Sequence, residues 1–131
     1  MTNFFHIDEL SSERARRGKL YFEFLRVPAM SAGVYVLAAG ARDPQKPHHE
    51  DELYYVVRGR ARMRIGARES AGHSSAGHSS AEHSPVEPSS EEHSEVRAGS
   101  VIFVEAEREH RFYDITEELE VLVFFAPAEQ E

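Results

Sequence analysis

The sequence predicts an all-β protein, a barrel or sandwich, preceded by one short helix. Short segments rich in Val, Ile, Leu, Tyr and Phe recur along the chain, with Gly- and Pro-bearing breaks between them, and helical patterning occurs only once, before Gly18.

Residues Ile7 to Arg17 read as that helix, with Asp8 and Glu9 in its first turn and Arg14, Arg16 and Arg17 in its last, matching the helix dipole. Lys19–Val27 and Gly33–Ala38 follow as strands, separated by the breaker-like stretch Pro28–Ala32. Gly40–Pro47 reads as a loop. Leu53–Val57 is a strong strand signal ended by Gly59, and Arg60–Ile65 alternates arginines with Ala61, Met63 and Ile65. Val96–Arg97, Val101–Val104, Arg111–Ile115 and Leu119–Phe125 supply further short strands.

One segment breaks the pattern. From Ser70 to Ser94 a five-residue repeat runs SAGHS, SAGHS, SAEHS, PVEPS, SEEHS, with only Val86 and three alanines to offer a core. It reads as a disordered or weakly ordered loop inserted between two strands. The expected organisation is an extension over 1–18 and a barrel over 19–127, interrupted by 70–94.

At 131 residues the chain fits one domain. A net charge of -8 argues against nucleic acid and anionic membrane surfaces, both of which call for basic patches. With no cysteine, any metal must rest on imidazole and carboxylate, and thiol nucleophiles are excluded. Apolar runs such as Val101–Val104 and Val121–Ala126 are far too short to span a bilayer, and Met1–Leu10 lacks the pattern of a signal peptide. A cytoplasmic location is the expectation.

Two spaced patterns carry a resemblance. Gly40, Lys46, His48, Glu52 and Gly59 stand in the frame of the first cupin motif (Gly, five residues, His-x-His, three or four residues, Glu, six residues, Gly), with Lys46 replacing the first histidine. Gly99, Glu105, Glu107, His110 and Asp114 stand in the frame of the second, where the glycine and histidine match and the usual Pro, Gly and Asn are Glu105, Glu107 and Asp114. With Ser70–Ser94 set aside, the connection from Arg60 to Ala98 is 14 residues, about what a hairpin-like link requires. The chain therefore resembles a small single-domain cupin from Lys19 to Phe125. The resemblance implies a double-stranded antiparallel β-barrel of the jelly-roll type holding one divalent metal (Fe, Mn, Ni, Co or Zn) through His48, Glu52 and His110.

On a strand, His48 and Glu52 would share the inward face, and His110 would arrive from a strand distant in sequence. Two imidazoles and one carboxylate suit a divalent metal with open positions for water or substrate. Lys46 leaves three arrangements open: a three-ligand site with Lys46 as an anion or substrate contact, which is the expectation; His49 as a replacement ligand, although alternation turns it to the other face; or a metal-free ligand site. Glu50 shares parity with His48 and Glu52 as a spare oxygen ligand. Tyr54, Val56 and Phe112 fall on the pocket face, with Tyr21, Glu23 and Leu25 on the first strand.

The expected function is metal-dependent chemistry of oxygenase, isomerase or lyase type on a small organic molecule, with Lys46, Tyr54 and Glu50 as candidates for substrate contact or proton transfer. For that role Tyr54 and Lys46 would need lowered pKa values. The alternative is a non-catalytic binding or sensing module. His73, His78, His83 and His93 would then form a metal-buffering loop, against the plainer reading of an expanded repeat without a role. Leu53, Tyr55 and Val57, opposite the pocket face, point to a homodimer.

Overall fold

The computed structural model describes residues 2–66 and 91–130 of the chain. His73, His78 and His83 and most of the repeat lie outside the described residues.

Helix α1 (Ile7–Arg16) is followed by strands β1 (Tyr21–Val27), β2 (Met30–Leu37), β3 (Asp51–Ile65), β4 (Glu92–Arg97), β5 (Val101–Val104) and β6 (His110–Ala126). All pairings are antiparallel, in the order β1-β2-β6-β3-β4, with β5 also paired to β3. The first half of β3 lies between β5 and the end of β6, and the second half between β4 and the start of β6. The β3–β6 ribbon thus runs through both layers of the roll.

The strand pattern is simpler than the sequence implied. Leu53–Val57 and Arg60–Ile65 are one strand, because Gly59, with φ +104°, bends the backbone without ending it; register shifts cluster from Val56 to Arg62. Arg111–Ile115 and Leu119–Phe125 are likewise one strand, β6. The break at Pro28–Ala32 shrinks to a turn at Pro28–Ala29, since Ser31 and Ala32 pair with β6. Residues 92–94, assigned above to the repeat, form the start of β4, where His93 pairs with Arg64.

Period-2 alternation builds the core. Tyr54, Val56, Ala61, Met63, Val96, Val104, Phe112, Ile115, Leu119, Val121, Val123 and Phe125 are buried in one cluster with Tyr35 and Leu37. On the opposite face of β2, Ala32, Val34 and Val36 are buried as well, and α1 packs against β1 and β2. Ser11 of the helix donates to the buried Glu120 carboxylate at 2.8 Å, and Arg58 donates to the same group at 2.7 Å.

Candidate metal centre

His48, Glu52 and His110 bring one ligand atom each to within 4.8 Å of one another. Glu52 comes from the start of β3 and His110 opens β6. His48 lies in the loop before β3, so it reaches the site by the course of that loop and not by strand alternation. Asp43, 2% exposed, holds the loop: it accepts hydrogen bonds from Tyr35 Oη (2.6 Å), Gln45 N (3.2 Å), Gln45 Nε2 (3.1 Å) and Phe112 N (2.9 Å).

The hydrogen bonds around the imidazoles settle which nitrogens face inward. His110 Nδ1 is 2.9 Å from the carbonyl of Arg108, which only accepts, so Nδ1 carries the proton and Nε2 of the neutral ring offers a lone pair. His48 Nδ1 is 3.1 Å from Glu129 Oε2, and its Nε2 is buried without a partner. Both oxygens of Glu52 are also buried and unpartnered, and Oε1 lies 3.1 Å from His110 Nε2. Acceptors facing one another at that distance repel unless a cation stands between them. A second proton on His110 would join it to Glu52 but leave His48 Nε2 unsatisfied; a divalent ion would serve all three. The donor set therefore fits a metal, and each histidine has the outer hydrogen bond typical of a ligand.

Beside the centre is a cavity of about 170 Å³, lined by Tyr21, Tyr35, Gln45, His48, Val123, Phe125 and Glu129. Tyr54 Oη donates to Gln45 Oε1 at 2.9 Å and lies 3.1 Å from His110 Nε2. Burial, reinforced by the Glu52 charge, pushes its phenol well above the usual value. Burial thus acts against the lowered pKa that a proton-transferring Tyr54 would need.

The remaining expected site residues lie apart. Lys46 is exposed and absent from the cavity lining, whereas its neighbour Gln45 lines it. His49 points outward, its Nδ1 2.7 Å from Glu107 Oε2, and does not replace the missing ligand. Glu50 is buried, but its carboxylate accepts the Gln130 N–H at 3.0 Å and does not join the triad. His93, on β4, is engaged with Tyr113 of β6 and with Glu91. Sequence reasoning missed Glu129, Gln45 and Asp43. Glu129 follows the last strand in a segment without patterning, so no local signal marked it.

Two of the changed residues of the second motif sit in left-handed backbone. Glu107, where the motif has glycine, adopts φ +71°, and Asp114, where it has Asn, adopts φ +47°. An L-residue other than Asn or Asp rarely takes this conformation, so Glu107 is the strained one of the two.

No protein-family model matches the chain. The fold is that of a cupin. Among solved structures, the cupin domain of Schizosaccharomyces pombe Cnp3 superposes with a TM-score of 0.58 at 15% identity, covering 82% of this chain and 59% of that one. BH2720 from Bacillus halodurans gives 0.67 at 17% identity, covering 99% and 85%. The DMSP lyase DddQ from Ruegeria pomeroyi gives 0.56 at 15% identity, covering 86% of this chain and 49% of the lyase. The chain thus spans about half to three-fifths of the Cnp3 and DddQ chains. The chain belongs to the family of the uncharacterized protein SCO3923 of Streptomyces coelicolor, to which it is 40% identical over 125 residues, 95% of this chain and 96% of that protein. No helix among the described residues is long and apolar enough to cross a membrane.

Proposed function

We propose that the chain binds one divalent metal through His48, Glu52 and His110 and acts on a small, largely apolar organic molecule held in the adjoining cavity. The observation that carries this reading is the convergence of unpartnered buried atoms: His48 Nε2 and both Glu52 oxygens, with the lone pair of His110 Nε2 aimed at them. Leaving such groups unsatisfied is costly, and one ion removes the cost at all of them. Bound there, the metal supplies Lewis-acid polarisation at its open positions.

The chain's own groups do the rest. Tyr21, Tyr35, Val123 and Phe125 give the ligand an apolar wall, and Gln45 adds an amide. At about 170 Å³ the cavity is below the ~300–1,000 Å³ of sites for drug-sized ligands, which favours a compact substrate. Tyr21 Oη is buried without a partner, and burial, with the charges of Glu129, Glu23 and Glu52, raises its pKa so that it stays a donor. The likeness to DddQ supports lyase chemistry as one class among the oxygenase, isomerase and lyase types.

The test is elemental analysis of protein purified without a metal-affinity column. One equivalent per chain, lost in His48→Ala and His110→Ala, is expected. Stoichiometric absence of metal from wild type, with no uptake on titration, would leave a metal-free ligand binder. We further propose a homodimer. Leu53, Tyr55, Val101 and Phe103 are 39%, 43%, 63% and 56% exposed and adjoin across the β3–β5 pairing, an apolar face that a second copy would cover. A monomer in sedimentation at micromolar concentration would refute it.

A further inference from the structure

We infer that Glu129 is a positioning residue of the metal centre, delivered by residues 127–130; the inference rests on the metal reading above. The two histidines are oriented differently. His110 is fixed locally, by a carbonyl two residues away. His48 has no such local partner: it sits in irregular chain, packs against Phe125 at a ring separation of 4.8 Å, and takes its Nδ1 partner from Glu129, at the opposite end of the barrel's sequence.

The segment that brings Glu129 is tied down at every residue from 128 to 130. Ala128 N donates to the Pro28 carbonyl (3.3 Å), Glu129 N to Ser31 Oγ (3.0 Å) and Gln130 N to Glu50 Oε2 (3.0 Å), while Arg26 Nη2 donates to the Glu129 carbonyl (2.7 Å). Ser31 and Glu50 are 0% and 3% exposed, so these anchors lie inside the protein. This gives Glu50 a role: it fixes the tail instead of ligating. With its backbone held on both sides, the Glu129 side chain is directed at His48. Its carboxylate keeps the proton on Nδ1, raises the basicity of Nε2 and turns that nitrogen toward Glu52 and His110.

Outer partners of metal-bound histidines contribute 10–100-fold to affinity. The test is Co(II) titration of the full chain with chelator competition, following the visible absorption bands, with the double variant His48→Ala/His110→Ala as the baseline for ions held elsewhere. Glu129→Ala should weaken Co(II) binding about 10–100-fold and shift the bands. Glu129→Gln, which retains an acceptor oxygen, should recover most of the affinity, whereas Glu129→Met, similar in size but unable to accept, should behave like the alanine variant. A purely structural tail would lower the melting temperature of all three variants alike and leave the spectrum unmoved. Wild-type affinity and bands in Glu129→Met would overturn the positioning role while the metal reading stands. Failure of wild type itself to bind Co(II) above the double-variant baseline would overturn both.

Discussion

The backbone N–H of Glu107 donates to the carbonyl of His48 at 2.7 Å. The turn before β6 is thereby latched to the loop before β3, and a backbone hydrogen bond joins the two histidine-bearing segments. Glu107 makes it with φ at +71°, a conformation costing an ordinary L-residue about 1–2 kcal/mol. Its exposed ion pair with His49 offsets little of that. Glu107→Gly should keep the latch, relax the backbone and raise stability by about 1 kcal/mol in urea unfolding. Glu107→Pro removes the N–H and the allowed φ together, and should destabilise. A glycine variant less stable than wild type would show that the strain is absent.

Gly59 is a different case. A Cβ there would lie 2.2 Å from the Glu118 carbonyl oxygen and 2.7 Å from Leu119 Cα, at a φ of +104°. Neither neighbour is a flexible side-chain tip. Gly59→Ala should lose at least about 1–3 kcal/mol from backbone strain and lower Tm by several degrees. An unchanged melt would mean the bend is not needed where it stands.

Glu52 should show opposite effects in two conditions. Without metal its buried carboxylate is a liability, so Glu52→Leu should match metal-free wild type or exceed it by up to about 1–4 kcal/mol. With metal at 100 times its Kd, wild type gains about 2.7 kcal/mol and the variant gains nothing. Paired thermal melts with and without Zn(II) decide it; a variant that retains the metal increment would remove Glu52 from the ligand set.

The pH dependence follows from His48. Burial lowers its pKa, but the hydrogen bond to Glu129 and the charges of Glu52, Glu129 and Glu50 outweigh burial and leave it above the ordinary 6.5. In the metal-free protein, protonated His48 therefore contributes stability that is complete below about pH 6.5 and is lost as pH rises through the folded value. A metal needs the ring neutral and competes with that proton. The metal-induced rise in Tm should be smallest near pH 6 and grow toward pH 8, and a rise independent of pH would contradict His48 as a ligand.

The repeat can be removed with more care than its sequence advises. Residues 91–94 belong to the fold: Glu91 binds Arg64 at 2.7 Å, and 92–94 pair with β3. A deletion confined to 70–90 is expected to leave metal affinity at the barrel site unchanged in chelator competition. A large loss of affinity would instead assign the repeat a loading role.

The frame of glycines, His48, Glu52 and His110 was legible because it is a matter of spacing, and spacing survives substitution. Tyr54, Val56 and Phe112 were legible as inward-facing through alternation, whereas His49 turns outward from irregular chain before β3. The continuity of β3 through Gly59 was not, since a glycine that bends a strand and one that ends it look alike in sequence. Lys46 occupies a ligand's place in the motif yet is exposed, while its neighbour Gln45 lines the cavity. Glu129 and Asp43 act through contacts between distant segments, which no local pattern encodes.

Glu52 stands at one end of β3, and His110 is paired with Ile65 at the other. Thirteen residues of flat strand would separate those ends by about 43 Å, yet the two side chains meet at 3.1 Å because the β3–β6 ribbon doubles back on itself. An ion held there would be a clasp on a folded ribbon. The roll would then have to break a metal–ligand bond before opening, so chelation should be felt first in how fast the protein unfolds.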